Sequence, residues 1–417
     1  MAIHAKPWGR NPVGFGSLTA RILFELRCRS RKGKAVIHLD ANATTPMPEC
    51  VVEVMVKWLR EGNANPSGSY LAAKKARKAI ETAREQVAGL IGALPDEIVF
   101  TSGGTESNNA ALHSMNALTG EGRAVISAIE HSAVLRYVEA CKRETTKVAV
   151  TSNGCLDLTA YEQALNGAAY VSLMSANNET GVIQPVVEAA LLARSRGLPF
   201  HTDGIQSIGK TAVNVRELGV DLLSLSAHKF HGPKGVGALF VRNGLRFQPF
   251  FHGGGQEKGR RSGTENTAGI VGMGAAAEFV TNTSYEAVRH LRDEFEAQIL
   301  QTISGLTING SDTARLPNTS HVSFARCDAA GLLILLDEAG IECSAGSACM
   351  TGRQQPSHVQ IAMGIPIERA KSSLRFSFSR MNSMEDARHA ATALAKCVEK
   401  LRRVQGAGLG PVVIYSP

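Results

Sequence analysis

The chain has 417 residues, of which 44% are hydrophobic and 20% charged, a balance that excludes wholesale disorder and collagen-like architecture. No stretch approaches the roughly 18 uninterrupted apolar residues that cross a bilayer, so a soluble chain with a large core is expected. Residues 1–34 hold eight Lys and Arg against one Glu, so the net charge of +8 lies almost wholly in this head. The rest of the chain is therefore not expected to bind nucleic acid.

The basic head, residues 1–35, is expected to be a poorly ordered amino-terminal extension. It is rich in arginine and poor in acidic residues, which resembles an organelle transit peptide, but an overlong start or a loose basic arm fits equally well. The eight cysteines are too sparse for a disulfide scaffold, so a reducing compartment is expected. We expect a cytoplasmic protein, or an organellar one if residues 1–34 are cleaved.

From residue 36 onward, short apolar runs alternate with longer helical segments. The predicted strands are Glu97–Thr101, Arg123–Ser127, Lys147–Val150, Ala168–Ser175, Pro199–Thr202, Leu222–Ser226 and Gly237–Val241. Several of these runs are continuously apolar, as in strands that are covered on both faces. A helix is predicted over Ser67–Ile91, where apolar residues share one face. The pattern predicts an α/β fold with a mostly parallel seven-stranded sheet flanked by helices.

The carboxyl-terminal part has a different order of elements. After Glu278 a long polar helix precedes a strand near Ser320–Phe324, a helix over Ala329–Ala339, a short strand near Ile341 and a strand over Ser373–Ser377. This order predicts a smaller α+β domain.

A glycine-rich turn follows the first predicted strand, over residues 101–109. Gly103 and Gly104 allow close approach of the backbone to a ligand, and Thr105 adds a hydroxyl group. The free N–H groups and the dipole of the helix that begins here suit a phosphate. A capped helix start without a ligand would have the same sequence, so this motif alone leaves both interpretations open.

Lys229 comes directly after the predicted strand Leu222–Ser226, where an ammonium group must be paired or neutral. Joining the amine to an aldehyde as a Schiff base satisfies this requirement. Pyridoxal phosphate is such an aldehyde, and it also needs a phosphate cup, a carboxylate on its ring nitrogen and a flat group against its ring.

Residues at neighbouring strand ends meet these other requirements. Asp203 could face the ring nitrogen, His131 could stack on the ring, and Asn178 and Gln206 could hydrogen-bond its phenolic oxygen and surroundings. Taken singly, His131 could instead cap a helix and Asp203 could be an ordinary N-cap. Their joint occurrence predicts a pyridoxal phosphate site. The predicted cofactor-binding residues are Gly104, Thr105, His131, Asn178, Asp203, Gln206, Ser226, His228 and Lys229.

Eight motifs follow one another along the chain in a familiar order. They are Leu39–Pro46, Thr101–Ser107, Glu130–Ser132, Asp203–Gln206, Ser226–Gly235, Gly253–Glu257, Arg261–Asn266 and Gly346–Cys349. In this respect the chain, over about residues 36–400, resembles the pyridoxal-phosphate cysteine desulfurases of the nitrogen-fixation or iron–sulfur-assembly type, which are fold-type I enzymes of aminotransferase class V. Ala41 and Met350 depart from the residues that are commoner in that family.

The resemblance implies a division of the chain and further site residues. It implies a large coenzyme-binding domain over residues 45–284, and a small domain over 36–44 and 285–417 that carries an active-site cysteine loop. It implies that Thr264, donated by the other subunit of a homodimer, joins the phosphate site. It also implies that Arg375 receives the substrate carboxylate and that Asn42 and Asn178 line the substrate mouth.

The resemblance also implies an activity. Lys229 would remove the α-proton of L-cysteine, Cys349 would take its sulfur as a persulfide, and His131 would shuttle a proton, so that L-alanine is released. The sulfur would pass to an acceptor protein, either an iron–sulfur scaffold or a thiolation protein. No resident metal is expected, although Cys349 could transiently ligate an iron–sulfur cluster, and no membrane is expected to take part. The alternatives are selenocysteine lyase, a class V enzyme that does not act on sulfur, such as an aminotransferase, and a catalytically silent, coenzyme-bound scaffold for sulfur-transfer partners.

Overall fold

The computed structural model of the protein describes residues 36–345 and 356–406. Its strands are β1 (Ile37–His38), β2 (Ile98–Thr101), β3 (Arg123–Ser127), β4 (Thr145–Val148), β5 (Ala168–Met174), β6 (Phe200–Asp203), β7 (Leu222–Ser226), β8 (Gly237–Val241), β9 (Leu306–Ile308), β10 (Thr319–Phe324), β11 (Ile341–Glu342) and β12 (Ser373–Ser377). Its α-helices are α1 (Glu49–Glu61), α2 (Leu71–Leu90), α3 (Gly104–Leu118), α4 (Ser132–Cys141), α5 (Leu158–Ala164), α6 (Val186–Ser195), α7 (Val215–Leu218), α8 (Thr267–Thr281), α9 (Glu286–Thr302), α10 (Ala329–Glu338), α11 (His358–Ala362), α12 (Ile367–Ala370) and α13 (Met384–Gly406).

A seven-stranded sheet with the order β2-β8-β7-β6-β5-β3-β4 forms the centre of the molecule. Pairing is parallel from β7 to β4, and β8 alone runs antiparallel to both of its neighbours, β2 and β7. The predicted α/β fold with a mostly parallel seven-stranded sheet is thus confirmed. Because six of the seven strands point the same way, their carboxyl ends meet at one edge of the sheet.

Both faces of this sheet are covered, which explains the continuously apolar strands. Along β2, Ile98 and Phe100 pack into one apolar cluster, whereas Val99 packs into the cluster on the opposite face. Along β8 the same alternation sends Phe240 to the first face and Leu239 to the second. Side chains alternate between the faces of a strand, so apolar residues are favoured at consecutive positions of these strands.

A second apolar core lies outside this sheet. It is built from an antiparallel sheet of order β12-β10-β9, the helices α9, α10 and α13, and the short parallel pair β1-β11. Leu39, which follows β1, belongs to this core although it lies some 250 positions before the rest of it. The chain therefore begins its described part in the second core and enters the edge of the large sheet immediately afterwards. The division into domains at residues 44 and 285 stays a prediction.

Two predicted elements begin at least two residues away from their predicted starts. The helix predicted from Ser67 begins at Leu71, because Asn65 accepts hydrogen bonds from the N–H groups of Ser67 and Gly68 and holds them in a turn. The strand predicted over Lys147–Val150 is instead Thr145–Val148, whose register follows its pairing with β3. No α-helix in the described ranges has both the length and the apolar character needed to cross a membrane.

Candidate active site

A cavity of about 420 Å³ opens at the edge of the large sheet where the strands end. Its lining comes from the turns after β2, β3, β5, β6 and β7, from the segment after β1, and from β12. The lining residues are Asn42, Ala43, Gly104, Thr105, His131, Met174, Ala176, Asn178, Asp203, Ile205, Gln206, Ser226, His228, Lys229, Ser344 and Arg375. All the predicted cofactor and substrate residues of the described chain except Thr264 are thus brought together in one cavity.

Lys229 closes the short helical turn that follows β7, and its side chain reaches into this cavity. Its Nζ donates hydrogen bonds to the backbone oxygens of Asn42 at 2.6 Å and Ala43 at 2.9 Å. Burial lowers the pKa of Lys229 to about 8, with a further lowering from the positive charge of Arg375. A large fraction of the amine is therefore neutral near pH 8, as condensation with an aldehyde requires.

Asp203 is the last residue of β6 rather than a residue after it, and its carboxylate is held at both oxygens. Oδ1 accepts a hydrogen bond from the N–H of Ile205 at 3.0 Å, and Oδ2 accepts one from Nδ2 of Asn108 at 2.7 Å. The carboxylate is buried but fixed in orientation, as a partner for a protonated ring nitrogen must be. It is not the N-cap of a helix, which was the alternative interpretation.

The first turn of α3 lies beside Ser226 and His228 and has the form of an anion cup. Gly103 precedes the helix with a φ of 150°, in a region that favours glycine. A Cβ at Gly104 would lie 2.3 Å from Cδ1 of Ile205 and 3.4 Å from Cβ of Ser226, so a side chain here would fill the cup. The first N–H groups of a helix have no partners within it, which leaves donors for a phosphate.

His131 both caps a helix and lines the cavity. As the N-cap of α4, its Nδ1 accepts a hydrogen bond from the N–H of Ala133 at 3.1 Å. Burial lowers its pKa, with smaller lowering effects from the positive charges of Lys229 and His358 and an opposing one from Asp203. The neutral ring then carries its hydrogen on Nε2, because Nδ1 is the acceptor. The helix-cap alternative is therefore observed, and it fixes the tautomer of a histidine in the cavity.

Arg375 lies in the middle of β12 with 4% of its surface exposed. Its Nη1 donates to the backbone oxygen of Asn178 at 2.9 Å, and its Nη2 donates to Oδ1 of Asp40 at 2.5 Å. Nε has no partner within the described part of the chain. A guanidinium held in this way can bind a carboxylate.

Sequence reasoning missed three residues that hold this site together, namely Asp40, Asn108 and Lys210. Asp40 orients Arg375 and Asn108 orients Asp203. The buried Lys210 donates to side-chain oxygens of Asn42 and Gln206. The sequence held signals for them, since Asp40 lies in the motif Leu39–Pro46 and Asn108 in the stretch 101–109. Lys210 lies four positions after Gln206, a spacing that places two side chains on one face of a helical turn.

One predicted site residue of the described chain, Thr264, does not line this cavity. Thr264 is exposed and lies outside the lining of the cavity of its own chain. Cys349 lies outside the described residues. The described chain stops after Ala345 and resumes at Pro356. Next to the first of these points, Ser344 lines the cavity and exchanges backbone hydrogen bonds with Arg375.

The residues fit pyridoxal phosphate in number and in chemistry. The cup of α3 offers space and donors for a phosphate, Lys229 offers an amine of lowered pKa, and Asp203 offers a fixed carboxylate. Within residues 36–345 and 356–406, no group of three His, Cys, Asp or Glu side chains is arranged to hold a metal ion.

Comparisons with known proteins agree with this geometry. Residues 37–389 match the aminotransferase class-V family. The chain is 43% identical over 380 residues to the cysteine desulfurase IscS of Dictyoglomus turgidum, covering 89% of this chain and 96% of that protein. Among solved structures, a NifS-like protein superposes with a TM-score of 0.82 at 33% identity, over 88% of this chain and 100% of the other. The structure of SspA in complex with cysteine superposes with a TM-score of 0.74 at 36% identity, over 82% of this chain and 98% of the other. The chain therefore belongs to the class-V aminotransferase family and, within it, to the cysteine desulfurases.

Proposed function

We propose that this chain is a pyridoxal 5′-phosphate-dependent cysteine desulfurase. It converts L-cysteine to L-alanine and transfers the sulfur, as a persulfide on Cys349, to an acceptor protein. The observation that carries the proposal is the single cavity in which Lys229, Asp203 and Arg375 converge with the cup of α3. These are the groups that bind an aldehyde, a ring nitrogen, a carboxylate and a phosphate.

The coenzyme would be held by residues at the strand ends. Gly104, Thr105, Ser226 and His228 would hold its phosphate, with Thr264 of a second copy. Asp203 would pair with the ring nitrogen, His131 would lie against the ring, and Asn178 and Gln206 would lie beside it. When bound, pyridoxal phosphate withdraws electrons from the α-carbon of an amino acid.

The chain's own residues would do the rest of the chemistry. Arg375 binds the substrate carboxylate, and Asp40 keeps its guanidinium in place. Nζ of Lys229, whose pKa of about 8 suits a base near neutral pH, takes the α-proton. The thiolate of Cys349 attacks the substrate sulfur, so an S–S bond forms as the substrate's Cβ–S bond breaks. The neutral His131 can then hand on a proton through Nε2.

Purified protein supplied with L-cysteine and a reductant should release alanine and sulfide in equal amounts. Lys229→Ala should lose both turnover and the visible absorption of the lysine-bound coenzyme, because the amine that binds the aldehyde is gone. Cys349→Ser should keep that absorption and lose turnover. Retained turnover in Cys349→Ser would overturn the nucleophile assignment, and bound coenzyme without turnover in the wild type would favour the scaffold alternative.

The same assay with selenocysteine separates the lyase alternative, since a lyase would yield much more alanine from selenocysteine than from cysteine. Sulfur acceptors can be tested by incubating the enzyme with sulfur-labelled cysteine and then with an iron–sulfur scaffold or a thiolation protein. Transfer of label that disappears in Cys349→Ser identifies a partner.

In this proposal the functional unit is a homodimer. It acts in a reducing compartment, which we propose is the cytoplasm. Thr264 supports the dimer, because it is exposed and lies outside the cavity of its own chain. The cysteines of the described part, such as Cys141, Cys155 and Cys327, are free thiols, which supports the reducing compartment.

A further inference from the structure

Lys210 is the most deeply buried lysine of the described chain, with 2% of its surface exposed. Its Nζ donates to Oε1 of Gln206 at 2.6 Å and to Oδ1 of Asn42 at 2.8 Å. Both acceptors are neutral amide oxygens, and no carboxylate of the described residues forms an ion pair with this lysine. A buried ammonium without a carboxylate is costly, so this lysine must serve some purpose other than an ion pair.

The surroundings of Lys210 are positively charged. Burial lowers the pKa of Lys210 well below its usual range, and Lys229, Arg375 and Arg380 lower it further. The histidines that face it, His228 and His231, have pKa values lowered to about 4 and are neutral at pH 7. The amine of Lys210 donates one hydrogen bond to each of the two amide oxygens that it contacts.

The consequence of this contact concerns the orientation of Gln206. Since Lys210 donates to Oε1, the amide must present Nε2 at its other end, where it donates to the backbone oxygen of Asn42 at 3.0 Å. The reversed amide would set its NH₂ group against the amine of Lys210 and its oxygen against the oxygen of Asn42. Gln206 lines the cavity, and its Nε2 has a second hydrogen beyond the one that it donates to Asn42.

We propose that Lys210 is a positioning residue that keeps the Gln206 amide turned with its Nε2 toward the coenzyme, so that the cavity offers a donor to an anionic ring oxygen. This inference rests on the proposed pyridoxal phosphate site. Lys210 acts through Gln206 and does not itself line the cavity.

The test is a pH titration of the visible absorption of the coenzyme-loaded protein, in the wild type and in Lys210→Met. A donor to the ring oxygen stabilises the deprotonated chromophore more than the protonated one, because the oxygen carries more negative charge after deprotonation. Loss of the donor should therefore raise the titration midpoint, by about one pH unit. An unchanged midpoint in Lys210→Met, with a wild type that binds coenzyme and turns over cysteine, overturns the inference and leaves the proposed function intact. A wild type without visible absorption overturns the proposed function itself.

A double-mutant cycle with Gln206→Leu separates an effect of Lys210 that acts through the Gln206 amide from a direct effect of the Lys210 charge on the coenzyme. If Lys210 acts through Gln206, Lys210→Met adds no further shift in the Gln206→Leu background; an equal shift there means that only its charge matters and overturns the inference. Lys210→Gln, which keeps a donor without the charge, should restore most of the wild-type midpoint. Lys234→Met is the matched control, because it removes an exposed cation near His228, and it should leave the midpoint unchanged.

The thermal midpoint of each coenzyme-free variant checks the folding. If Lys210→Met does not fold, Lys210→Ala takes its place in the titration and in the cycle with Gln206→Leu. A raised midpoint in Lys210→Ala that Lys210→Gln brings back supports the inference, and an unchanged midpoint in Lys210→Ala overturns it.

Discussion

Asp40 restrains the side chain that we propose receives the substrate. It accepts a hydrogen bond from Nη2 of Arg375, while the backbone oxygen of Asn178 accepts one from Nη1. These contacts leave the guanidinium little freedom to rotate away from the cavity. An arginine in a buried strand needs such a partner, since its charge would otherwise be uncompensated.

Asp40→Asn should therefore raise the KM for L-cysteine by about tenfold, because a charge-assisted hydrogen bond becomes a neutral one. The value of kcat should change less, since the reacting groups stay in place. Steady-state kinetics measure both. Asp96→Asn is the control, because it breaks an exposed ion pair with Lys258 and should leave KM unchanged. A wild-type KM in Asp40→Asn would contradict the role given to Asp40.

Glu130, the neighbour of His131, is fully buried beneath the cavity. Its Oε1 accepts hydrogen bonds from Oγ of Ser127 at 2.6 Å and the N–H of Met174 at 2.8 Å, and its Oε2 has no partner in the described chain. Burial raises the pKa of Glu130 to about 8, against the lowering effect of these two hydrogen bonds and with a small rise from Asp203. The carboxyl is therefore protonated at neutral pH.

The raised pKa predicts how Glu130 affects stability. The folded state holds this proton up to about pH 8, whereas the unfolded state loses it near 4.5. The stability contributed by Glu130 is thus complete below pH 4.5 and is lost as pH rises through 8. Glu130→Gln, which is neutral at every pH, should remove this loss. The difference between its free energy of unfolding and that of the wild type should therefore grow in favour of the variant, by up to about 1.4 kcal/mol for each pH unit between pH 4.5 and 8. Denaturant unfolding at pH 5, 6.5 and 8 measures the difference, and a constant difference would contradict the raised pKa.

At the scale of elements, the start of α3 shows how a strand, a turn and a helix make an anion site. The apolar β2 is fixed between two packed faces, so the turn after it has a set position. Gly103 then takes a φ of 150° at the start of α3, which packs its apolar side onto one face of the sheet, while Gly104 and Thr105 in its first turn line the cavity. Gly237 at the start of β8 packs so close that an added Cβ would lie 2.8 Å from the backbone of Gly103.

Gly103→Ala should weaken coenzyme binding about tenfold or more, since a non-glycine residue at this φ costs about 1–3 kcal/mol and relief of that strain moves the cup. Among the described residues beyond its chain neighbours, the added Cβ would meet only Oγ of Ser226, at 4.0 Å, so the effect would come from the backbone. Equilibrium titration of the coenzyme-free protein measures the dissociation constant. Gly244→Ala also has a positive φ, of 83°, but lies away from the cavity. It should lose stability and keep its affinity, and equal losses of affinity in the two variants would contradict the argument.

At the scale of the whole molecule, we propose that two copies of the chain complete the site. Thr264 is exposed and lies outside the lining of the cavity of its own chain, as expected of a residue that is donated to a second copy. In a homodimer that exchanges this residue, Lys229 and Thr264 of each site come from different chains. A chain that lacks one of these residues can then form an intact site with a partner chain that supplies it.

Thr264→Ala and Lys229→Ala should each be poorly active or inactive alone at low coenzyme concentration. A heterodimer of the two, co-expressed with different tags and purified through both, contains one intact site and one doubly altered site. It should recover about half of the wild-type activity, a ratio that follows from counting sites. Activity no higher than that of the Thr264→Ala homodimer would show that Thr264 acts in its own chain or not at all. Gel filtration of each preparation provides the control for assembly.

The sequence by itself determined the fold class and the chemistry of the cavity. Mostly apolar strands such as β5 and β7 pack in a sheet that is covered on both faces, and polar residues at the ends of parallel strands then meet at one edge. Lys229 and Asp203 were found for this reason, as were the glycines before α3. All of these are local signals, in which the functional residue lies within a few positions of a strand end.

Only the tertiary structure decided which residues hold those side chains in place. Asp40 lies 335 positions before its partner Arg375, and Asn42 lies 168 positions before Lys210. Such pairs are made when the segment after β1 leaves the second core and crosses the edge of the large sheet, so no local pattern can indicate them. Burial decided the rest, because the lowered pKa values of Lys229 and Lys210 and the raised one of Glu130 arise from the loss of water around groups that the folded chain encloses.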